Sequence, residues 1–202
     1  MVRRNLWSFL HVLSLWKARN RTTEPRSHED PEPLDVDCCM QYLWVDAMCI
    51  DLTHVLERNH QVQQMGRIYM NASQVVCWLG SDQSVASLFD FAREIRDDAI
   101  YRAQMWGPST MAHREAIVSL RDNAYWTRAW IRQEIQLAWK LIFVAQDSAI
   151  SLSVLARIGS SISSSHRETE QENLWAPIYT HLSGYQAPSL LLANLWKYRH
   201  QH

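Results

Sequence analysis

Two short apolar runs bracket an amphipathic stretch near the middle of the chain. Leu43-Trp44-Val45 stops at Asp46, and Val75-Val76-Cys77-Trp78-Leu79 stops at Gly80. Between them Val62, Met65, Ile68, Tyr69 and Ala72 recur at helical spacing, with Arg58, Gln61, Gln63, Gln64 and Arg67 on the other side. Apolar residues at i, i+3, i+4 and i+7 line one face of a helix, so the pattern predicts strand, helix, strand. Both runs are apolar at successive positions, as in a sheet covered on both faces, and the connection is long enough for a parallel crossover. Ligands of open sheets gather beyond the carboxyl ends of the strands, which is where Asp46 and Gly80 are expected.

Further along, Ser81-Asp82-Gln83-Ser84 offers N-caps for a helix with Val85, Leu88, Phe89, Ala92 and Ile95 on its apolar face. Residues 100–109 read as irregular, 113–121 as a short helix and 122–125 as a turn. Thr127 is expected to cap a helix reaching about Lys140, followed by a third strand over Leu141 to Ala145. Residues 153–162 read as helix, the serine-rich stretch 163–172 as a mobile loop, and 189–197 as a final helix. The fold class expected is α/β: a helix-rich, three-layer domain around a short parallel sheet with crossover helices, over residues 38–202. Residues 1–37 form an N-terminal amphipathic segment and a linker that is polar from Lys17 to Asp37, with Pro25, Pro31 and Pro33. Ser8, His11 and Ser14 share one stripe of the N-terminal segment, whose apolar run is too short to span a bilayer. Packing on the domain is the commoner use of such a helix; lying on a membrane surface is the other.

Composition narrows the function classes. An apolar fraction of 47% supports a sizeable core. The ten tryptophans are read first as core residues whose indole N–H finds a buried partner. A formal charge of -1 with dispersed Lys and Arg lacks the basic stripe that phosphate-dominated binding needs, so no nucleic-acid partner is expected. Cys38, Cys39, Cys49 and Cys77 show neither a C-x-x-C pair nor histidines at zinc spacing, so no metal is expected. Such thiols suit a reducing compartment, and a cytoplasmic location without a transmembrane segment is expected. No phosphate-binding glycine loop, H-E-x-x-H or G-x-S-x-G occurs.

The spelling carries more than the periodicity. Trp44 to Ile50 reads W-[IV]-D-A-x-C-I, Glu57 to Ala72 reads E-R-x-x-Q-V-x-x-M-x-x-I-Y-x-x-A, and Val75 to Gly80 reads V-V-x-W-L-G. Together they resemble the heterokaryon incompatibility (HET) domain of filamentous fungi. Tyr125 to Glu134 is similar to the same family's W-F-x-R-x-W-x-x-Q-E segment. The resemblance implies an effector of fungal non-self recognition whose activation leads to programmed cell death. The family's opening Y-x-A-L-S-Y-x-W-G segment has no match here, and the chain ends soon after a leucine-rich stretch at 189–195, so the resemblance implies a copy truncated at both ends. Cys49-Ile50-Asp51-Leu52 also departs from the family's C-I-N-Q.

HET domains are in turn remotely similar to TIR domains, which implies a flavodoxin-like sheet. Trp130 to Ile135 resembles the TIR spelling W-C-x-x-E-L, whose glutamate is catalytic in NAD-cleaving members. By that resemblance Glu134 is the candidate catalytic residue of an NAD hydrolase, stabilising the cation that develops on ribose as nicotinamide leaves. NAD would be a substrate, with no cofactor required. The alternative is an ordinary helix carboxylate paired with Arg128. Asp46 and Arg128 are the candidates for holding the nucleotide; capping or loop ordering is the commoner use of an aspartate placed like Asp46. Cys49 as a nucleophile with His54 or His60 is the weaker reading beside a buried structural thiol. The helix over 57–72, with Glu57, Arg58 and Gln61, is either a solvated stripe or a surface for protein partners or self-association. A non-catalytic signalling or interaction module, or an inactive fragment of a HET protein, is therefore the second reading of function.

Overall fold

The structure, a computed structural model, describes residues 4–20, 39, 41–51, 53–94 and 111–163. The elements are α1 (Arg4–Asn20), α2 (Asp46–Cys49), α3 (Val55–Asn71), β1 (Val75–Trp78), α4 (Gln83–Glu94) and α5 (Met111–Arg121). A 3-10 turn (Ala124–Thr127), α6 (Ile131–Leu137), β2 (Leu141–Ala145), β3 (Ser148–Ser151) and α7 (Leu152–Ser163) complete them. The sheet has the order β1-β2-β3. β1 and β2 run parallel, with Val76 opposite Ile142 and Trp78 opposite Val144. β2 and β3 form an antiparallel hairpin, with Val144 opposite Ala149.

The α/β class and its helix-rich character hold, with a mixed sheet in place of a wholly parallel one. Leu43 to Val45 is not a strand: none of the three joins the sheet, Val45 is extended, and Asp46 opens a helical turn directly after it. The parallel crossover consequently joins Trp78 to Leu141 through α4, α5, the 3-10 turn and α6. Thr127 ends the 3-10 turn, and the following helix begins only at Ile131 and stops at Leu137. The expected linker from Lys17 is helical to Asn20. Its remainder, the stretch 100–109, the loop 163–172 beyond Ser163 and the helix 189–197 lie outside the described residues. The helices expected after Gly80, over 113–121 and over 153–162 are present as α4, α5 and α7.

Alternation along the strands makes the domain three-layered. Val75, Cys77, Leu141, Phe143, Ala145 and Ile150 face the main core with α3 to α7. Val76, Trp78, Ile142, Val144 and Ala149 face the opposite way and meet Phe9 and Leu13 of α1. A strand with both faces covered reads as a continuous apolar run, which is why all five residues of β2 are buried. Two indoles fix α1 across the sheet: Trp78 Nε1 donates to Asn5 Oδ1 at 2.8 Å, and Trp16 Nε1 donates to the Asp147 carbonyl at 3.2 Å. The N-terminal helix is thus an outer layer of the domain.

Gly80 ends β1 at φ 99, a conformation that costs glycine little and other residues strain. Its carbonyl accepts from Gln146 N at 2.8 Å, so the end of β1 is tied to the β2–β3 turn. Beyond it Asp82 caps α4, accepting from Ser84 N at 2.8 Å and from Val85 N at 3.3 Å. The Ser119 hydroxyl also donates to Asp82, linking α5 to that cap.

If α1 is a true layer, removing its central anchor should be felt globally. Leu13 is 1% exposed, and Leu13→Ala is expected to lower unfolding stability by about 2–5 kcal/mol in urea titration. A change of less than about 0.5 kcal/mol, the scale of surface substitutions, would show α1 undocked.

Candidate functional site

The end of β1 and the chain after α5 are held together before any ionisable group enters. Asn123 Nδ2 donates to the Leu79 carbonyl at 2.7 Å, while Asn123 Oδ1 accepts from Tyr125 N at 2.9 Å and caps the 3-10 turn. Trp126 Nε1 donates to the Leu120 carbonyl at 2.6 Å, a buried indole satisfied within the core as its type requires. This fixes the Tyr125 side chain over β1. One turn later Glu134 enters from α6, its backbone N–H on the Trp130 carbonyl.

Glu134 is the one buried carboxylate among the described residues, at 4% exposure. Its Oε2 accepts from the Tyr125 hydroxyl at 2.8 Å, and its Oε1 accepts from the Tyr69 hydroxyl of α3 at 3.3 Å. Arg128 Nη2 lies 3.1 Å from Oε1, and the guanidinium sits 5.4 Å from the centre of the Tyr125 ring. The arginine side chain is 43% exposed against 5% for the glutamate, so a half-open cation covers a closed carboxylate. Tyr125 Oη is also 2.9 Å from Cys77 Sγ. A phenol has one proton and the carboxylate is the stronger acceptor, so the thiol S–H is the donor to Tyr125. The chain of bonds therefore runs from Cys77 through Tyr125 to Glu134.

The Cys77 thiol and the Tyr69 and Tyr125 phenols are held in their protonated forms. Burial, then the charges of Glu134 and Asp46, push the Tyr69 hydroxyl far above its usual 10.0. Burial raises the Cys77 thiol far above 9.0, and the Tyr125 phenol is raised by burial and by the groups at Cys77 and Glu134. Cys77 is an inert buried thiol, as expected from its strand.

Of the residues singled out from the sequence, Glu134 and Arg128 are brought into direct contact. Asp46 is half-buried, accepts from Ala47 N at 2.7 Å in the first turn of α2, and lies near enough to Tyr69 for its charge to act there. Cys49, expected to be buried, is exposed because α2 is a short outer turn with no buried residue. His54 Nδ1 accepts from Glu57 N at 3.1 Å, and His60 bonds Gln64 at 2.7 Å, so both histidines serve α3. Tyr69, Tyr125 and Cys77 join the site without a local sequence pattern that marks them, although the hydroxyl of a tyrosine on an apolar stripe needs a partner once buried. Among the described residues no group of three or more His, Cys, Asp or Glu could hold a metal ion, and no helix is long and apolar enough to cross a membrane.

Two outcomes follow from this cluster. Glu134→Gln keeps the shape but turns an N–H₂ toward groups that donate, and should cost about 1–3 kcal/mol in denaturant titration. A raised folded-state pKa gives stability that is complete below the unfolded value and lost as pH rises. Stability should therefore fall from about pH 9, where an unfolded thiol ionises, and faster from about pH 10, where unfolded phenols do. Ultraviolet titration should show Tyr69 and Tyr125 ionising only with unfolding; ordinary titration in the folded chain would refute their burial as neutral donors.

Comparison with known proteins adds one positive finding. Residues 36–134 match the family described as heterokaryon incompatibility protein (HET). No curated protein and no solved structure matches the chain. The matched stretch contains Asp46, Tyr69, Cys77, Tyr125, Arg128 and Glu134, the whole of the cluster. Over residues 36–134 the chain is therefore a heterokaryon incompatibility (HET) domain.

Proposed function

We propose that the chain is a HET-domain effector of fungal heterokaryon incompatibility, whose activation leads to programmed cell death, and that its chemistry is cleavage of NAD at Glu134. The observation that carries this reading is the burial of one carboxylate beneath a half-exposed arginine, wholly within the family-matched stretch. Arg128 would meet the pyrophosphate of the dinucleotide, and Asp46 a ribose hydroxyl. As the bond from ribose to nicotinamide breaks, its electron pair leaves with nicotinamide, and the cation left on ribose faces Glu134, which is uncovered when Arg128 turns outward onto the pyrophosphate. Water then adds to that carbon and loses its proton, giving ADP-ribose. A carboxylate in a low-dielectric setting suits that charge better than one in water.

A second reading, a non-catalytic interaction module, is favoured by one observation. α3 leaves Val55 and Leu56 exposed at 54% and 77% on its first turn, beside exposed Glu57, Gln63 and Arg67. An outward apolar pair on a helix with a polar flank suits a protein partner or self-association.

The two separate in one experiment. The purified chain incubated with NAD should release nicotinamide, and Glu134→Gln should lower the rate at least a hundredfold, the scale of losing a key electrostatic group. Equal, near-zero release from both would sink the enzyme reading. Toxicity on expression that survives Glu134→Gln but is lost in Leu56→Asp would favour the interaction module.

A further inference from the structure

The outer face of α1 has no role in the cluster and lies outside the matched stretch. Phe9, Val12 and Leu13 turn inward and are buried, whereas Trp7 is 60% exposed and Leu15 46% exposed on the opposite side. Trp7 stacks on His11 with ring centres 5.2 Å apart and planes 10° from parallel, so the two rings and Leu15 form one outward stripe at i, i+4 and i+8.

Two features give this face a particular partner. The sequence of α1 carries Arg4, Lys17 and Arg19 and no acidic residue, in a chain whose net charge is -1. The polar groups between the apolar ones are already internally satisfied: Ser8 Oγ donates to the Arg4 carbonyl at 3.0 Å and Ser14 Oγ to the His11 carbonyl at 2.6 Å. A hydroxyl so bonded loses little on leaving water, since the desolvation penalty falls on unmade bonds. An aromatic and an aliphatic anchor, flanked by cations and with the intervening hydroxyls satisfied, fit the boundary of an anionic bilayer, where indoles prefer to sit.

We propose that the outer face of α1 docks the domain onto an anionic lipid surface, with Trp7 and Leu15 entering the headgroup boundary and Arg4 and Lys17 meeting lipid phosphates and carboxylates. The inner face stays on the sheet, so the helix lies flat between domain and lipid. With only two apolar anchors the binding is reversible and needs both terms together: apolar insertion alone or charge alone leaves the protein free.

The test is flotation of the full-length chain with vesicles of equal parts phosphatidylserine and phosphatidylcholine. The wild type should float with them at low salt, fail to float with phosphatidylcholine alone, and be released as ionic strength rises. Lys17→Glu should weaken binding more than about fivefold, the scale of one basic side chain near such a surface. Trp7→Ala with Leu15→Ser should abolish flotation while leaving the thermal unfolding midpoint unchanged, since both side chains point away from the core. Absence of flotation in the wild type would overturn the proposal. So would flotation indifferent to these substitutions, or a salt-resistant dimer that Trp7→Ala disperses, which would assign the face to a second copy. None of these outcomes bears on Glu134, so the two readings stand or fall separately.

Discussion

The Glu134 carboxylate is the constraint around which the core is arranged. A buried carboxylate needs its lone pairs filled, because an isolated one would be expelled from a low-dielectric interior or neutralised there. Here the donors come from three separate parts of the chain: Tyr69 from α3, Tyr125 from the 3-10 turn and Arg128 from the loop after it. Filling them brings α3 against α6, sets Tyr125 over Cys77 of β1, and holds the guanidinium at the surface. Apolar packing between Met65, Ile131, Ile135 and Phe143 would tolerate small slides, whereas hydrogen bonds with fixed lengths and angles do not. The polar cluster thus gives a small, mostly apolar core its register. The same contacts keep the carboxylate from solvent, so precise placement and accessibility are opposed at this position.

Much of the architecture was legible because periodicity reports burial. The amphipathic patterns after Gly80, over 113–121 and over 153–162, and the unbroken apolar run at Leu141 to Ala145, each became the expected element. What failed was pairing. Leu43 to Val45 is spelled like a strand, but its Trp44 packs edge-on against Tyr69, with ring centres 6.2 Å apart, on the helical side of the core. A three-residue run does not say whether its apolar side chains meet a sheet or a helix. β3 went unseen for the opposite reason: only Ala149 and Ile150 are apolar, and the Gln146-Asp147 turn lacks the glycine that marks most two-residue hairpins. Gln146 nonetheless holds φ 48, fixed by its backbone bond to Gly80 and its side-chain bond to Gln83.

The candidate site divides along similar lines. The spelling of the chain marks Glu134, and Arg128 lies close to it in sequence, so their contact needs only one loop to form. Tyr69 and Cys77 reach the cluster across separations of 65 and 48 residues from their partners, and no local pattern encodes that. Both sat in stretches read as core, correctly, since a tyrosine ring and a thiol contribute apolar surface wherever they are buried. Their polar atoms were the part that could not be placed without the fold.

The arrangement of strands has a consequence for how the protein is made. β1 lies in the family-matched stretch, while its hydrogen-bonding partner β2 is encoded roughly sixty residues later, beyond that stretch. At ribosomal speeds of about 5–20 residues per second, β1 waits on the order of 3–12 seconds with its backbone unpaired before β2 has been synthesised. Over that interval Val75 to Leu79 is an apolar segment with strand propensity and no neighbour, which is the situation in which nascent chains associate wrongly. α1, already synthesised and amphipathic, is available in cis to shield the Val76 and Trp78 side of that segment until the hairpin arrives. The N-terminal layer would then act first as a guardian of a lone strand and only afterwards as one face of the finished domain.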